Sequence, residues 1–202
     1  DPIIIDKLKE LNKLLKNDKL QHSYPHSWRS KAPLIYRATP QWFISMEKNS
    51  LRKKAIKAIG DTTFYPSKGK ERLMSMIKDR PDWCVSRQRS WGVPLPIFIN
   101  KKTNKPLQDQ KVIDRIAEIY EKEGSDCWFT DDSKKFLGDK YNENDYVKIT
   151  DIVEVWFDSG CTHSFVLEKR KDLKWPADMY LEGSDQHRGW FHSSLLESCG
   201  TR

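Results

Sequence analysis

The sequence predicts an α/β fold, and two strand-like runs are the main reason. Residues 149–160 are rich in β-branched and aromatic side chains and end in Asp-Ser-Gly, and residues 177–181 run into a Gly-Ser-Asp turn followed by a helical pattern over 191–196. Strands that end in small polar residues place those residues at the carboxyl edge of a sheet, where α/β folds bind ligands. Amphipathic helical patterns elsewhere in the chain supply the layers that would cover such a sheet.

The composition is typical of a water-soluble chain with a basic balance. Of 202 residues, 37% are hydrophobic and 32% are charged, and 36 basic against 29 acidic side chains give a formal charge of +7. No apolar run approaches the roughly 20 residues that a membrane span requires. The length allows one large domain or two small ones, and the charge favours a polyanionic partner such as nucleic acid without requiring one.

The cysteines and histidines do not form a pattern that predicts a metal site. The four cysteines stand alone, without a CxxC pair, and indicate reduced thiols of a cytoplasmic protein rather than disulfides or a zinc knuckle. His22 and His26 are four residues apart, but Pro25 between them argues against a helix that would align them as ligands. The chain starts with Asp1 and has no recognisable ending, so we expect a piece of a longer protein.

The first 40 residues predict a helix, a loop and a strand. Isoleucine and leucine recur at helical spacing over residues 3–15, with lysines on the outer face. That basic face is either solvated or in contact with RNA. A polar aromatic loop follows over residues 22–31, and residues 32–38 are rich in the aromatic and branched side chains that favour strands.

The next segment is expected to alternate between strands and helices. Residues 41–46 predict a strand, and residues 51–59 and 70–78 predict two short amphipathic helices. Residues 83–85, Trp-Cys-Val, predict a buried strand. Together these elements would begin the main fold.

Residues 100–149 differ in character and predict an insertion into that fold. A short strand at 97–99 leads into it, and a helix over 112–121 ends at Gly124. The charged stretch that follows contains no constellation of catalytic type. We therefore expect no catalytic residues in the insertion.

The densest cluster of polar groups lies in the turn that follows the second strand-like run. Glu182 and Asp185 offer carboxylates to ribose hydroxyls or to an ammonium group, and Gln186 can both donate and accept hydrogen bonds. Trp156 and Trp190 would wall an apolar pocket beside this turn. The alternative is that both tryptophans are ordinary core residues.

Two other pairs of side chains are candidate functional residues. Arg87 and Arg89 project from the loop after residues 83–85, where they could clamp a phosphate, stack on a base or contact the end of an acceptor stem. The alternative is a loop held by arginine–carboxylate ion pairs. His163 and His187 are candidates for acid–base work, although neither has a partner at a diagnostic spacing.

Several motifs, in order, point to a known family. They include Trp-Cys-Val-Ser-Arg-Gln-Arg, Val-Trp-Phe-Asp-Ser-Gly and Leu-Glu-Gly-Ser-Asp-Gln-His-Arg-Gly-Trp. The chain resembles the isoleucyl-tRNA synthetases, a branch of the class I aminoacyl-tRNA synthetases. Valyl and leucyl relatives share parts of the set, whereas the Gly-Ser-Asp-Gln-His-Arg-Gly-Trp form is similar to the isoleucyl branch. The matching segments are residues 22–25, 34–43, 80–89, 91–94, 155–160 and 177–191.

The resemblance implies a domain organisation and an activity. Residues 1–38 would be the C-terminal tail of the editing insertion. Residues 39–202 would be the second half of a Rossmann-type catalytic domain, with residues 100–149 as a connective insertion. The family's HIGH motif and KMSKS loop would lie outside this chain. The full enzyme would activate isoleucine with ATP and Mg²⁺, transfer it to tRNA(Ile) and edit misactivated valine, whereas these residues alone would be inactive.

The resemblance also implies roles for individual residues. Those that would bind the isoleucyl-adenylate are Glu182, Gly183, Asp185, Gln186, Trp156 and Trp190. Asp185 would bind the ribose or orient the turn, Gln186 would help to hold the α-ammonium group, and the two tryptophans would line the isoleucine pocket. No covalent protein nucleophile is expected, because chemistry in this class rests on positioning and on stabilising phosphate charge.

The remaining expectations concern partners and metals. Arg87 and Arg89 would shape the floor of the active site or contact tRNA. Ser27 and Ser30 stand where relatives often carry Cys-Trp-Arg-Cys, so no zinc is expected in this segment, whereas zinc elsewhere in the full enzyme is compatible with the family. The full enzyme would be a cytoplasmic monomer without membrane attachment. Two rivals remain: a valyl-tRNA synthetase segment, and a non-catalytic basic RNA-binding module that lacks a pocket between the tryptophans.

Overall fold

The computed structural model describes residues 2–202, and the chain divides into two compact units. The first unit ends at Pro40 and the second begins at Gln41. Among residues 2–202, no helix has both the length and the apolar character that crossing a membrane would require. All the site residues discussed below belong to the second unit.

The first unit contains one helix and little other regular structure. Helix α1, Pro2–Glu10, ends five residues before the predicted limit, and Leu11 and Leu15 after it are exposed. The predicted strand over 32–38 is wrong, because only Pro33 takes part in a single bridge, to His26. None of the described residues up to position 40 is buried. Without a core of its own, this unit gives an amphipathic face or a strand little to pack against.

The second unit combines short strands with helices of very different lengths. Its helices are α2 (Leu51–Asp61), α3 (Lys68–Lys78), α4 (Gln110–Glu123), α5 (Cys127–Thr130), α6 (Ser133–Leu137), α7 (Val155–Gly160) and α8 (Trp190–Thr201). Its strands are β1 (Phe43–Ile44), β2 (Trp83–Cys84), β3 (Ser86–Arg87), β4 (Phe98–Asn100), β5 (Tyr146–Lys148) and β6 (Ile152–Val153). The predictions of helices over 51–59, 70–78 and 112–121 are confirmed.

The strands form three separate antiparallel pairs. β1 pairs with β2, β3 with β6 and β4 with β5. In the β3–β6 pair, Ser86 lies opposite Val153 and Arg87 opposite Ile152. No parallel pair occurs among residues 2–202. The mixture of helices and strands agrees with the predicted fold class only at this coarse level. The half of a Rossmann-type sheet stays a prediction.

Two strand predictions beside the site are wrong in detail. Residues 149–160 form only the two-residue strand β6, after which the chain turns into α7. Residues 177–181 form no strand, and Met179 and Leu181 are exposed. An extended segment needs a neighbouring strand to satisfy its backbone N–H and C=O groups, and residues 177–181 have none among the described part of the chain.

The first hydrophobic core joins α2, α3 and α8. Leu51, Ala55 and Ile59 recur every fourth residue on α2, so they lie on one face, and Leu73 and Ile77 do the same on α3. These residues pack with the buried side chains Met46, Trp83, Val85 and Leu196. The core therefore ties α8, which begins at the site, to the two helices that precede it in sequence.

The second core lies within residues 98–146 and is built around Trp128. Its ring is 1% exposed and makes edge contacts with Phe98 and Phe136 at ring-centroid distances of 4.9 and 5.0 Å. Val112 and Ile116 bring α4 onto this cluster. Asp109 caps α4 by accepting a hydrogen bond from the Lys111 N–H. The segment predicted as an insertion thus has a hydrophobic cluster of its own.

Candidate functional site

The turn that carries four of the predicted site residues is held by its own hydrogen bonds. Ser184–Arg188 form a 3-10 turn directly after Gly183. Gln186 Oε1 accepts a hydrogen bond from the Trp190 backbone N–H at 3.0 Å and so caps the first turn of α8. Gln186 Nε2 donates to Asp185 Oδ2 at 3.0 Å. The turn is therefore rigidly joined to the helix that follows it.

The polar side chains of this turn retain capacity for a ligand. Glu182, Gly183 and Asp185 are exposed and Gln186 is partly exposed. An ionised carboxylate has about four acceptor positions, so Asp185 keeps several after its contact with Gln186. Gln186 itself keeps one N–H and one lone pair. The predicted residues thus lie together and are accessible, and their binding of an adenylate stays a prediction.

Trp156 and Trp190 meet the turn from two helices. Trp156 lies near the start of α7 and not at a strand end as predicted, and it is 40% exposed. Its ring would lie 2.8 Å from a Cβ atom placed on Gly189, so only glycine allows this close approach. Trp190 stacks on Tyr180 with ring centroids 4.2 Å apart, and its Nε1 donates to the Ser159 carbonyl at 3.0 Å. These contacts join the start of α8 to α7.

A cavity of about 330 Å³ lies under Trp156. Trp156 borders it, whereas Trp190, Glu182, Gly183, Asp185 and Gln186 do not. Three arginines and a histidine converge on it with two carboxylates. Its lining comprises Arg80, Pro81, Asp82, Trp83, Cys84, Arg87, Glu154, Trp156, Arg188, Gly189, His192 and Ser193.

Glu154 holds one wall of this cavity in place. It is almost fully buried between β6 and α7 and accepts hydrogen bonds from Trp83 Nε1 and from Arg87 Nη2, the latter at 2.6 Å. Arg87 Nη1 also donates to the carbonyl oxygens of Cys84 and Ser86. The alternative interpretation of an arginine–carboxylate pair therefore holds for Arg87, which nevertheless borders the cavity.

Arg89 lies apart from Arg87. It borders a second cavity, of about 510 Å³, together with Gln88, Ser90, Phe129, Thr150 and Asp151. The two arginines were predicted to share one role. In the structure strand β3 ends between them, and they border different cavities. Only Arg87 lies beside Trp156.

The two histidines considered for acid–base work have structural positions. His163 is buried, with its ring nitrogens near the Gly160 carbonyl at 3.3 Å and Thr201 Oγ1 at 3.2 Å. His187 is also buried, and its Nδ1 lies 2.7 Å from the Ser184 carbonyl. Neither borders the cavity under Trp156. Their hydrogen bonds hold α7 against α8 and close the turn.

Burial changes the protonation of several groups around α8. Burial, with the Arg80 charge adding to it, lowers the pKa of His192 to about 4, so this imidazole is neutral at pH 7. Burial lowers the pKa of Arg80 as well. Burial raises the pKa of Glu197 to about 7, with Asp158 and Glu154 acting in the same direction. The pKa of Asp158 rises through burial and the Glu154 charge.

Five acidic or basic side chains of this cavity were not predicted from the sequence: Arg80, Asp82, Glu154, Arg188 and His192. Glu154 had a usable signal, because a lone carboxylate inside the apolar run Ile-Val-Glu-Val is expensive to bury without a partner. His192 lies on the inner face of α8, and nothing in its neighbours indicates that it faces a cavity. Arg80 and Arg188 lie far apart in sequence and meet only through the fold.

Within residues 2–202, no group of three or more His, Cys, Asp or Glu side chains is arranged to hold a metal ion. The ring nitrogens of His22 and His26 contact nearby carbonyl oxygens of Ser23 and Tyr24. The absence of zinc from this segment stays a prediction.

Nearly the whole chain matches one protein family. The family described as tRNA synthetases class I (I, L, M and V) matches residues 7–202. The chain therefore belongs to the class I tRNA synthetases, and the resemblance stated from its motifs is confirmed.

Curated relatives narrow the similarity to one branch. The chain is 74% identical to an isoleucine–tRNA ligase of Pelagibacter ubique over 202 residues, which are 100% of this chain and 22% of that protein. It is 57% identical to the isoleucine–tRNA ligase of Brucella abortus, over 99% of this chain and 21% of the relative. For that of Caulobacter vibrioides the identity is 54%, over 98% of this chain and 21% of the relative. The chain thus spans about a fifth of the length of these relatives.

Proposed function

We propose that this chain is part of an isoleucine–tRNA ligase, an enzyme that activates isoleucine with ATP and transfers it to tRNA(Ile). The exposed carboxylates of the turn, with Trp156 against Gly189 and Trp190 bound to Gln186 at the start of α8, carry this proposal. The names of the relatives support the same substrates. They favour this function over a valyl enzyme and over a non-catalytic RNA-binding module.

In this proposal the turn binds the polar part of the isoleucyl-adenylate. Glu182 and Asp185 accept hydrogen bonds from the ribose hydroxyls, and Gly183 keeps the backbone open to close approach. Gln186 uses its remaining lone pair on Oε1 to hold the α-ammonium group. The support is that Gln186 is fixed by Trp190 and Asp185 and is therefore pre-oriented.

The two tryptophans would form the wall of the amino-acid pocket. A pocket that distinguishes isoleucine from valine by one methylene gains only about 1–3 kcal/mol, so a separate editing step is expected in the full enzyme. Residues 1–38 are proposed as the tail of the editing insertion. Residues 39–202 are proposed as half of the Rossmann-type catalytic domain, with 100–149 as its insertion.

ATP would enter as its Mg²⁺ complex, and Mg²⁺ would offset phosphate charge. We assign no residue of this chain to the ion, because no cluster of acidic ligands occurs within residues 2–202. The chain's own contribution is to bind and orient the adenylate, which is the main source of rate in positioning catalysis. The cytoplasmic location and the monomeric state are proposed from the family resemblance alone.

The test is isoleucine-dependent ATP–pyrophosphate exchange in a full-length ligase that contains this segment. Trp190→Ala should raise the KM for isoleucine at least tenfold. Removing a large aromatic wall costs about 1.4 kcal/mol or more of binding free energy, and 1.4 kcal/mol corresponds to a tenfold change in affinity. The matched control is Trp91→Ala, since Trp91 is 90% exposed and borders neither cavity. Equal exchange in both variants would contradict the assigned pocket.

Two further measurements separate the remaining alternatives. Exchange with valine in place of isoleucine should be weaker by about tenfold or more, the discrimination that one methylene supplies. A preference for valine would favour the valyl enzyme. The 202 residues alone should give no exchange, and robust exchange by them would contradict the proposal that the ATP-binding motifs lie outside this chain.

A further inference from the structure

Gly189 lies where the two parts of the proposed amino-acid site meet. It is buried, it follows the turn Ser184–Arg188 and it precedes α8. A Cβ atom placed on it would lie 2.5 Å from Gln186 Oε1 and 2.8 Å from Cη2 of the Trp156 ring. Real Cβ atoms essentially never come within 3.0 Å of another non-bonded heavy atom. The absence of a side chain is therefore what lets both neighbours occupy their positions.

The backbone at Gly189 is held by hydrogen bonds on both sides. Its N–H donates to the Gln186 carbonyl oxygen at 3.0 Å, and its own carbonyl oxygen accepts from the N–H groups of His192 and Ser193, both at 3.1 Å. The bonds to His192 and Ser193 form the first turn of α8. Because moving this backbone would break them, a larger residue at position 189 would displace the neighbouring side chains instead.

The two side chains that would move have room to do so. Trp156 is 40% exposed, so its ring can turn toward solvent. Gln186 is partly exposed, and its Oε1 is the end of a flexible side chain. Gly160 differs, because the atoms facing it belong to Glu197, which is 5% exposed. A methyl group at position 189 therefore changes the geometry of the site at less cost to stability than one at position 160.

The atoms that Gly189 holds apart belong to the amino-acid half of the proposed site. Gln186 Oε1 caps α8, and its remaining lone pair is assigned to the α-ammonium group of isoleucine. Trp156 is assigned to the wall around the isoleucine side chain. The three atoms nearest to the added carbon are one of Gln186 and two of Trp156. None of the three belongs to Glu182 or Asp185, which are assigned to the ribose.

We propose that Gly189 is a positioning residue for the activation of isoleucine. By leaving space for Gln186 Oε1 and for the Trp156 ring at one point, it fixes the distance between the group that holds the ammonium and the wall that contacts the side chain. Isoleucine must reach both at once, so its binding depends on that distance. This inference rests on the proposed function and adds a residue that acts through two others.

The experiment measures isoleucine-dependent ATP–pyrophosphate exchange in the full-length ligase and separates the KM for isoleucine from the KM for ATP. Gly189→Ala should raise the KM for isoleucine by about tenfold, because misplacing binding groups by about 1 Å costs up to about a hundredfold. The KM for ATP should stay within about twofold, since the ribose contacts are undisturbed. The matched control is Gly200→Ala, in the same helix, where an added carbon meets only Leu51 at an ordinary 3.6 Å. It should leave both KM values unchanged.

A purely structural role for Gly189 predicts a different result. Loss of folded enzyme lowers the apparent kcat and leaves both KM values unchanged. Urea denaturation of Gly189→Ala and Gly200→Ala reports the folded fraction independently of the kinetics. A lower kcat with an unchanged KM for isoleucine, or an equal rise in both KM values, would overturn the proposal.

A second variant tests the contact with Trp156 directly. Phenylalanine lacks the outer ring carbons Cη2 and Cζ3, which would lie 2.8 and 3.0 Å from the added carbon. Gly189→Ala should therefore raise the KM for isoleucine about threefold less in the Trp156→Phe enzyme than in the unchanged one, as expected for coupled neighbours. The same background gives the added carbon room should the single variant fail to fold. Equal effects in the two backgrounds would overturn the assigned contact.

Trp190→Ala separates this inference from the proposed function. A rise in the KM for isoleucine with Trp190→Ala but not with Gly189→Ala would leave the pocket in place and overturn the positioning role alone. No rise in either variant would contradict the pocket itself, and the positioning role would fall with it.

Discussion

Glu154 is a single side chain that connects three parts of the site. It lies between β6 and α7, and its two oxygens accept hydrogen bonds from Trp83 and Arg87 on the β2–β3 segment. A carboxylate with so little exposure is stable only when its acceptors are used. Glu154 therefore fixes the wall that carries Arg87 and the point at which α7 starts.

Glu154→Ala should lower the free energy of unfolding by about 2 kcal/mol, because it leaves the Trp83 N–H and the Arg87 guanidinium without their acceptor. Glu154→Gln keeps an acceptor for Trp83 and should cost less. Urea denaturation measures both. The matched control is Glu121→Ala, at an exposed position of α4, which should change stability by less than about 0.5 kcal/mol. Equal losses at the two positions would show that Glu154 is not a structural tie.

At the scale of elements, α7 and α8 pack closely through a glycine. A Cβ atom on Gly160 would lie 2.2 Å from Glu197 Oε1, and Cys161 Sγ donates to Glu197 Oε2 at 2.9 Å. The same two helices carry Trp156 and Trp190. The separation of the two tryptophans therefore depends on how closely α7 approaches α8.

Gly160→Ala should displace the buried Glu197 carboxyl group from Gly160 and from Cys161, and should reduce the free energy of unfolding by about 1–3 kcal/mol, the cost typical of overpacking. Gly60→Ala is the control, because Gly60 lies in α2 with nothing within 4 Å of the added carbon. That control should be neutral or stabilising, by up to about 1 kcal/mol. A Gly160→Ala protein as stable as the control would contradict the close packing.

The helices were predictable from the sequence and the strands beside the site were not. The apolar positions of α2, α3 and α4 recur at helical spacing, and that signal is local. A strand requires a partner, and the β-branched run at 149–160 finds one for only two residues, opposite β3. Beyond Val153 the buried contacts of Glu154 and the close approach of Gly160 to α8 favour a helix, and neither contact is local in sequence.

The candidate site shows the same division. The residues of the turn and the two tryptophans were selected because motifs of a known family contain them, and their role in binding stays a prediction. In the structure Gln186 accepts from the Trp190 N–H, and Trp156 lies against Gly189. Arg80, Arg188 and His192 come from distant segments and meet only after folding. A sequence alone does not reveal that two guanidinium groups over a hundred positions apart share one cavity.

For the whole molecule, the two buried titratable groups of α8 make opposite contributions to the pH dependence of the free energy of unfolding. The folded pKa of His192 is about 4 against an ordinary 6.5, so between these values the unfolded chain binds the extra proton and stability rises with pH. The folded pKa of Glu197 is about 7 against an ordinary 4.5, so the folded chain holds the extra proton and stability falls as pH rises. The two effects overlap between pH 4.5 and 6.5.

Removing either group should therefore expose the effect of the other. At roughly 1.4 kcal/mol per pKa unit, each contribution is on the order of 3 kcal/mol over its full range. Relative to the unchanged protein, Glu197→Gln should make the free energy of unfolding rise more steeply with pH between 4.5 and 6.5, and His192→Gln should make it fall. Urea midpoints across this range measure the slopes, and Glu121→Gln, at an exposed position, controls for loss of a carboxylate. Parallel curves for the unchanged protein, Glu197→Gln and His192→Gln would mean that neither side chain has the buried state with a shifted pKa on which both slopes depend.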